Sequence, residues 1–336
     1  MRSLVCLEPG SLLLEERPKP TRAEDEALIR IRRVGICGTD MHIFHGRQPY
    51  LSYPRVMGHE FAGDVEAAPE GSGLTAGDRV LVMPYLSCGT CSACRQGKTN
   101  CCSKLEVLGV HRDGALADYV SVPVQFILKA DGLSLDQAAM VEFLSIGAHA
   151  VGRAAIRPGQ RALIVGAGPI GLAASLFSVL AGGRVTVVDT REDRLAFAAR
   201  ELQVDHVVPL SDDTEASLRR ITNGDFFDVV FDATGSPRAM ETGFAYVAHG
   251  GTYVLISVVS SAITFSDPEF HKRETTLLAS RNATIADFET VMRAMREGKV
   301  PTDAFGSHRA TLDEFPRALL DWIDPESHVI KALIEV

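Results

Sequence analysis

The stretch RALIVGAGPIGLAASLFSVLAGGRVTVVD, residues 161–189, decides the fold of this 336-residue chain. It runs from a short aliphatic segment through a glycine-rich turn into a helical segment, and then into a second aliphatic segment. This alternation continues to Ser280 and predicts a doubly wound, mainly parallel α/β sheet. Strands are expected near Ala162–Val165, Arg184–Val188, His206–Val208, Asp228–Phe231, Thr252–Ser257 and Thr276–Ala279.

The turn after the first strand has the pattern G-x-G-x-x-G, formed by Gly166, Gly168 and Gly171. Glycine there permits a tight turn, close approach of the backbone to a pyrophosphate, and tight packing of helix on strand. The turn also holds Ile170 and Pro169, where a helix begins and directs the positive end of its dipole toward a bound anion. An ordinary strand-to-helix turn is the alternative, but six strands with this turn favour a Rossmann dinucleotide-binding domain.

The second predicted strand ends in VVD, which puts Asp189 shortly after the turn, 18 residues beyond Gly171. A carboxylate at this point accepts hydrogen bonds from both ribose hydroxyls and repels a 2′-phosphate, so it favours NAD over NADP. Arg191 and Arg194 follow closely and leave NADP open as an alternative. We include Arg194 among the predicted cofactor-binding residues.

A second motif lies in CGTCSACRQGKTNCC, residues 88–102, which contains five of the seven cysteines. Its spacing, C-x2-C-x2-C-x7-C, suits a closed tetrahedral zinc site with four thiolate ligands. The predicted ligands of this structural zinc are Cys88, Cys91, Cys94 and Cys102. Disulfides or unpaired thiols are the alternatives, and Cys101 lies one residue too early to be a ligand.

The composition is that of an ordinary globular protein long enough for two domains, with 46% hydrophobic and 23% charged residues. A net charge of −9 argues against nucleic-acid and anionic-membrane partners, because both need clustered positive charge. No apolar run approaches the roughly 20 residues of a membrane span, and the N-terminus lacks a signal-peptide pattern. We therefore expect a cytoplasmic protein with a small-molecule partner.

Metal-binding residue types recur in three further segments, in a region before residue 150 that is rich in short strands and turns. Cys37 lies in GICGTDMHIFHG, His59 and Glu60 lie in VMGHEFAG, and Glu142 lies in MVEFLSIGAHA. Each alone fits an ordinary core, polar or surface role. Together with the cysteine motif and the glycine turn, they make the chain resemble the zinc-dependent medium-chain alcohol dehydrogenase family over nearly its whole length.

The resemblance implies a GroES-like, β-rich catalytic domain at residues 1–148, completed by residues 285–336. A Rossmann NAD-binding domain at 149–284 would be inserted between them, with the active site in the cleft. From the pattern alone, the C-terminal tail fits either domain. By resemblance the protein is a homodimer or homotetramer.

The resemblance also implies a catalytic zinc bound by Cys37 and His59, so that each subunit holds two zinc ions. Glu60 and Glu142 are the candidates for a carboxylate ligand of this zinc, and the resemblance does not decide which of the two binds it directly. A zinc ion with an open position stabilises a substrate alkoxide, from which hydride passes to the nicotinamide. Thr39 is implied beside the metal and His42 as a proton relay to solvent, with His45 as a rival.

Within the family, GICGTD, YPRVMGHEF and CCSKLEVLGVHRDGALADY most resemble bacterial sugar-acid and polyol dehydrogenases. These include enzymes that oxidise L-gulonate, L-galactonate or L-idonate at carbon 5. An aldonate carboxylate needs a cation, for which Arg112 and Arg281 are candidates, although a surface role fits both. Phe143 stands where many relatives have proline, so the sequence does not settle the shape of the substrate pocket at this point. The alternatives are a threonine, sorbitol or simple alcohol dehydrogenase, or a nucleotide-sensing protein without turnover.

Overall fold

The computed structural model describes all residues from 1 to 336 except the side chain of Pro325. The chain forms two compact units. The first unit comprises Met1–Glu142 and Thr284–Val336, and the second unit comprises Phe143–Ala283. The boundary predicted at residues 148 and 149 falls inside a continuous helix, Leu135–Ala154, and the division between the units comes earlier in that helix.

The strands are short in the first unit and form a regular series in the second. In the first unit they are β1 (Arg2–Glu8), β2 (Ser11–Glu16), β3 (Glu26–Ile36), β4 (Arg55–Val56), β5 (Glu60–Ala67), β6 (Arg79–Val82), β7 (Tyr85–Leu86), β8 (Glu106–Val107), β9 (Tyr119–Pro123), β10 (Ile127–Lys129), β17 (His308–Thr311) and β18 (Ala332–Glu335). In the second unit they are β11 (Arg161–Val165), β12 (Arg184–Asp189), β13 (His206–Pro209), β14 (Phe227–Asp232), β15 (Val247–Leu255) and β16 (Thr276–Ala279).

The helices connect these strands. They are α1 (Gly38–Phe44), α2 (Ser92–Arg95), α3 (Leu135–Ala154), α4 (Pro169–Leu180), α5 (Glu192–Glu201), α6 (Thr214–Ile221), α7 (Pro237–Gly243), α8 (Asp267–Lys272), α9 (Ile285–Arg296), α10 (Thr302–Phe305) and α11 (Phe315–Trp322). Short 3-10 turns lie at Thr99–Cys101, Val124–Phe126, Phe244–Tyr246 and Pro325–Ser327. Among the described residues, no helix is both long and apolar enough to cross a membrane.

The largest sheet of the first unit has the strand order β10-β6-β5-β3-β18-β17, and β9 also pairs with β3. The C-terminal strand β18 lies antiparallel to β3, with Ala332 opposite Ile36 and Glu335 opposite Arg33. The tail therefore returns to the first unit, which the strand pattern left open and the family resemblance implied. Helix α9 begins after a capping box formed by Thr284 and Asp287.

The sheet of the second unit is entirely parallel and has the order β13-β12-β11-β14-β15-β16. This is the doubly wound order of a dinucleotide-binding fold, so the predicted fold class is confirmed. One strand was misjudged: β15 starts at Val247 and ends at Leu255, whereas Thr252–Ser257 was expected. Val247 already pairs with Phe227, and the register then shifts around Gly250, whose φ is +73°.

Asp232 is fully buried at the end of β14, and its carboxylate accepts hydrogen bonds from the backbone and hydroxyl of Thr234. Burial raises its pKa to about 6, despite these hydrogen bonds. The folded state therefore binds a proton more tightly than the unfolded state, and stability falls as pH rises from about 4 to about 6.

We expect Asp232→Asn to remove this dependence and to raise the unfolding free energy at pH 8 by on the order of 2 kcal/mol, with little change at pH 4.5. Urea unfolding at both pH values tests this. Asp225→Asn, at a side chain that is 77% exposed, is the control. A stability gain of equal size at both pH values would contradict the explanation.

Candidate active site

The glycine turn lies between β11 and α4, and its geometry requires glycine at two positions. Gly166 has a φ of +97°, in the left-handed region. A Cβ on Gly171 would collide with the carbonyl oxygen of Gly166. Around Gly168, by contrast, the nearest atom to such a Cβ is Nη1 of Arg194 at 3.9 Å. The turn thus has no room for a side chain at Gly171, but it leaves space beside Gly168, where a phosphate can approach the backbone.

Asp189 ends β12 beside this turn and is held by backbone donors. One of its oxygens accepts a hydrogen bond from Ala167 N at 2.5 Å, and the other accepts one from Arg191 N at 2.8 Å. The Arg191 guanidinium pairs with Asp193 through two contacts of 2.7 and 3.0 Å. Arg194 donates to the carbonyl oxygen of Ala167 at 3.2 Å, and burial lowers its pKa. Both arginines therefore have partners within the protein.

The four predicted thiolate ligands of the cysteine motif converge. The Sγ atoms of Cys88, Cys91, Cys94 and Cys102 all lie within 4.8 Å of one another. Hydrogen bonds from the backbone N–H groups of Cys94 and Ser103 lower the pKa of Cys91 to about 5, which favours the thiolate that zinc requires. Cys101 is exposed and outside the group, and all the described cysteines are free. This donor set fits a tetrahedral zinc ion.

A second cluster forms where strands of the large sheet end. Strand pairing puts Gly35 of β3 opposite Glu60 of β5, so Cys37 and His59, which flank these strands, come together with Glu60. Their ligand atoms lie within 4.8 Å of one another. Nδ1 of His59 is buried without a hydrogen-bond partner among the described residues. A thiol, an imidazole and a carboxylate that converge in this way fit a zinc ion with an open position.

Asp40, which sequence reasoning missed, lies next to this cluster. Its buried carboxylate accepts hydrogen bonds from Cys37 N at 2.9 Å and Gly58 N at 3.2 Å, and it lies 3.9 Å from Nδ1 of His59. Burial lowers the pKa of His59, but the charges of Asp40, Cys37 and Glu142 outweigh it, so the pKa is raised overall. The pocket thus favours a cation. An acidic residue three positions after a ligand cysteine was the available sequence signal.

Glu60 is bound by a second residue that sequence reasoning missed, Lys331. The Lys331 ammonium lies 2.7 and 2.5 Å from the two carboxylate oxygens and 3.1 Å from the carbonyl oxygen of Ile36. Both charged side chains are almost completely buried. Burial lowers the pKa of Lys331, but Glu60 more than offsets this, and the lysine stays charged. The only sequence signal was a lysine inside the apolar run VIKALI.

Glu142 lies on α3, is also buried, and does not belong to the group of mutually close ligand atoms. One of its carboxylate oxygens accepts a hydrogen bond from the hydroxyl of Tyr85, at the start of β7. Burial and the charge of Glu60 raise the pKa of Glu142 to about 7. The two carboxylates therefore have different partners: a cation for Glu60 and a neutral hydroxyl for Glu142.

Helix α1 holds the residues predicted for proton transfer. The Thr39 hydroxyl lies 3.9 Å from Sγ of Cys37, and His42 is exposed three residues later on the same helix. Residues at this spacing share one face. The His42 ring has no hydrogen-bond partner among the described residues, whereas Nδ1 of His45 contacts the carbonyl oxygen of Met41 at 2.8 Å.

The two predicted substrate arginines belong to neither metal cluster. Arg112 lies 3.7 Å from Glu26 and lines a shallow depression of about 380 Å³ with residues such as Arg17 and Tyr119. Arg281 is exposed, two residues after the end of β16. Phe143 is fully buried, one residue after Glu142.

Family models match both units. The alcohol dehydrogenase GroES-like domain model matches residues 23–132, and the zinc-binding dehydrogenase model matches residues 169–297. With these matches and the relatives below, the chain belongs to the zinc-type medium-chain alcohol dehydrogenase family, whose members are oxidoreductases that act on CH–OH groups. The predicted family and enzyme class are therefore confirmed.

Among curated proteins, the chain is 46% identical to an L-galactonate-5-dehydrogenase of Escherichia coli K12, over 94% of each chain. It is 33% identical to a 2-dehydro-3-deoxy-L-galactonate 5-dehydrogenase of Pseudoalteromonas atlantica, over 92% of this chain and 91% of the other. The solved structure of an alcohol dehydrogenase from Escherichia coli CFT073 in complex with NADH superposes with a TM-score of 0.94 at 28% identity, covering 100% and 99% of the two chains.

The buried Lys331–Glu60 pair yields a prediction about stability. Lys331→Met leaves the Glu60 charge buried without a cation, and we expect a loss of about 3–5 kcal/mol in unfolding free energy. The double variant Lys331→Met/Glu60→Gln should recover much of that loss. Urea unfolding at matched zinc content measures both, with Lys299→Met at an exposed ion pair as control. A double variant as unstable as Lys331→Met would contradict the charge argument.

Proposed function

We propose that this protein, a sugar-acid or polyol dehydrogenase, is a zinc- and NAD-dependent enzyme that oxidises the hydroxyl at carbon 5 of L-galactonate or a closely related aldonate. The observation that carries the proposal is the buried cluster of Cys37, His59 and Glu60 in a chain 46% identical to an L-galactonate-5-dehydrogenase. A simple alcohol or threonine dehydrogenase is the alternative within enzymes.

In the proposed reaction, Cys37, His59 and Glu60 would hold the catalytic zinc, and Glu142 would lie outside this ligand group. The four-cysteine group holds the second zinc, which has a structural role. Bound zinc supplies a positive charge that stabilises the substrate alkoxide. The Thr39 hydroxyl accepts the substrate proton and donates its own toward His42, which passes a proton to solvent. When bound, NAD would accept the hydride that leaves the substrate carbon.

The turn at Gly166, Gly168 and Gly171 binds the coenzyme pyrophosphate, with Pro169, Ile170 and Arg194 beside it. Asp189 supports NAD over NADP, because a carboxylate at the end of the second strand accepts hydrogen bonds from ribose hydroxyls and repels a 2′-phosphate. The pairing of Arg191 with Asp193 further supports NAD, since this guanidinium is already neutralised.

Assembly and compartment are part of the proposal. Strand β16 is an outer strand of its sheet, so its open edge is available to a second copy in a homodimer or homotetramer. The free state of the described cysteines supports a reducing, cytoplasmic compartment.

A substrate panel tests the main proposal. NADH formation by zinc-replete protein is compared for L-galactonate, L-gulonate, L-idonate, sorbitol, L-threonine and a simple secondary alcohol. We expect the highest kcat/KM with an aldonate. Turnover restricted to threonine or simple alcohols would reject the substrate assignment and leave the zinc dehydrogenase assignment standing.

The Cys37→Ser variant tests whether this protein is a zinc-dependent enzyme or a nucleotide-sensing protein without turnover. This change removes a proposed zinc ligand in the first unit and leaves the glycine turn intact. We expect turnover to fall by at least about 100-fold, as expected when zinc no longer stabilises the alkoxide, while NADH affinity in a fluorescence titration stays within about twofold of wild type. Cys101→Ser is the matched control, and unchanged turnover in Cys37→Ser would count against the zinc mechanism.

Asp189→Ser tests coenzyme choice. Without the carboxylate, the ribose loses a charged acceptor and a 2′-phosphate meets less repulsion. We expect the ratio of kcat/KM for NAD to that for NADP to fall by about tenfold or more, a change of about 1.4 kcal/mol. Asp225→Asn, which changes a charge at the opposite ends of the strands, should leave the ratio unchanged.

A further inference from the structure

The first unit has a depression of about 380 Å³ that the reaction described above does not use. None of the proposed metal ligands is among the described residues that line it. Its volume is within the roughly 300–1,000 Å³ that is typical of small-molecule sites. Because a proline ring fixes φ, a wall that contains prolines is stiff and needs little ordering when a ligand binds. The wall is largely apolar and includes Val56, Leu108, Val120, Pro18 and Pro20.

Ser3 carries an unsatisfied hydroxyl at the base of this depression. It belongs to β1, where it pairs with Glu15 of β2 and forms a bridge to Ala117. Ser3 lines the depression although none of its surface is exposed, and its Oγ has no hydrogen-bond partner in the described part of the chain. A buried hydroxyl is costly to leave unpaired. At the edge of a cavity it therefore indicates a ligand with a polar group.

Arg112 and Glu26 also line the depression and carry opposite charges. Nη2 of Arg112 lies 3.7 Å from Oε1 of Glu26, beyond hydrogen-bond distance. The guanidinium makes no hydrogen bond to any residue that the structure describes. Oε2 of Glu26 accepts a hydrogen bond from the Ser121 hydroxyl at 2.7 Å, whereas Oε1 has only the long contact with Arg112. A cationic donor group and an anionic acceptor are thus available side by side.

The remaining charged side chains of the lining have close partners. Asp113 contacts the guanidinium groups of Arg17 and Arg55 at 3.3 and 3.2 Å, and Arg17 also contacts Glu15 at 2.6 Å. A ligand with only a carboxylate would lie beside the Glu26 charge, and a ligand with only an ammonium would lie beside a guanidinium. The charges of the lining therefore favour a ligand that carries both groups.

We propose that this depression is a second binding site, which takes a free α-amino acid with an apolar side chain, such as leucine. The ligand carboxylate pairs with Arg112, the ammonium pairs with Oε1 of Glu26, and the side chain packs on the apolar wall. The Ser3 hydroxyl is both a donor and an acceptor, so it can bond to either polar group. The inference is independent of the proposed function, because it involves neither metal cluster nor the glycine turn.

Three probes with one carbon skeleton test the ligand class. They are L-leucine, 4-methylpentanoate, which lacks the ammonium, and 3-methylbutylamine, which lacks the carboxylate. Calorimetry with the zinc-loaded enzyme–NADH complex measures the affinity for each probe. We expect L-leucine to bind with a Kd of about 1 mM or below, and the other two to bind at least about tenfold more weakly.

Substitutions in the lining test the location. Arg112→Gln and Glu26→Gln each remove one charge, and we expect each to weaken L-leucine binding by about tenfold or more. Ser3→Ala should weaken it by about threefold without lowering the Tm of the free protein, because it also removes an unpaired buried group. Arg200→Gln, at a side chain that is 69% exposed, and Ser178→Ala, at another buried serine listed with an unpaired Oγ, are the controls and should leave the affinity unchanged.

Three results would overturn the inference. Unchanged L-leucine affinity in both Arg112→Gln and Glu26→Gln would put the ligand elsewhere, and 4-methylpentanoate binding as tightly as L-leucine would reject the ligand class. Loss of L-leucine binding in Cys37→Ser would assign the ligand to the metal cluster, as for an amino-alcohol dehydrogenase. Failure of the proposed function is separate, because it appears in the substrate panel and leaves L-leucine affinity at the depression unchanged.

Discussion

The antiparallel pairing of β3 with β5 and β18 is the constraint on which the chemistry of the first unit depends. Cys37 follows the end of β3, His59 and Glu60 stand at the start of β5, and Lys331 directly precedes β18. The registers of these strands bring all four side chains to one end of the sheet. A buried ion pair such as Lys331–Glu60 carries a large desolvation cost. Here backbone pairing on both sides of β3 brings the two side chains to the same end of the sheet, where they contact each other directly.

Charge balance in this pocket explains why it favours a metal ion. Asp40, Glu60 and Glu142 are buried carboxyl groups, and Cys37 adds a thiol, whereas Lys331 supplies one fixed positive charge. Lys331 is committed to Glu60, so the rest of the negative charge acts on His59 and raises its pKa. A divalent cation bound there would replace the proton on His59 and pair with the Cys37 thiolate. The negative charge that Lys331 does not balance therefore supports the proposed zinc site, even though one of its carboxylates is already neutralised.

The parts that could be predicted from the sequence are those whose residues lie close together along the chain. The glycine turn and the four cysteines each fall within a short segment, and the GHE segment supplies His59 and Glu60 as neighbours. Lys331 was not predictable, because 271 residues separate it from Glu60 and only strand pairing joins them. Tyr85 was missed because a buried tyrosine is usually part of a core. The start of β15 was missed because two glycines interrupt its apolar pattern where the register shifts.

The two buried carboxylates of the first unit differ in their partners, and this difference sets how each is held. Glu60 faces the ammonium of Lys331, a fixed positive charge that balances its own. Glu142 accepts a hydrogen bond from the neutral Tyr85 hydroxyl, which adds no charge, so burial and the charge of Glu60 raise the pKa of Glu142 to about 7. Placing the ammonium on Glu60 and the phenol on Glu142 therefore gives one carboxylate a fixed charge partner beside the proposed metal ligands, and leaves the other able to gain or lose a proton near neutral pH.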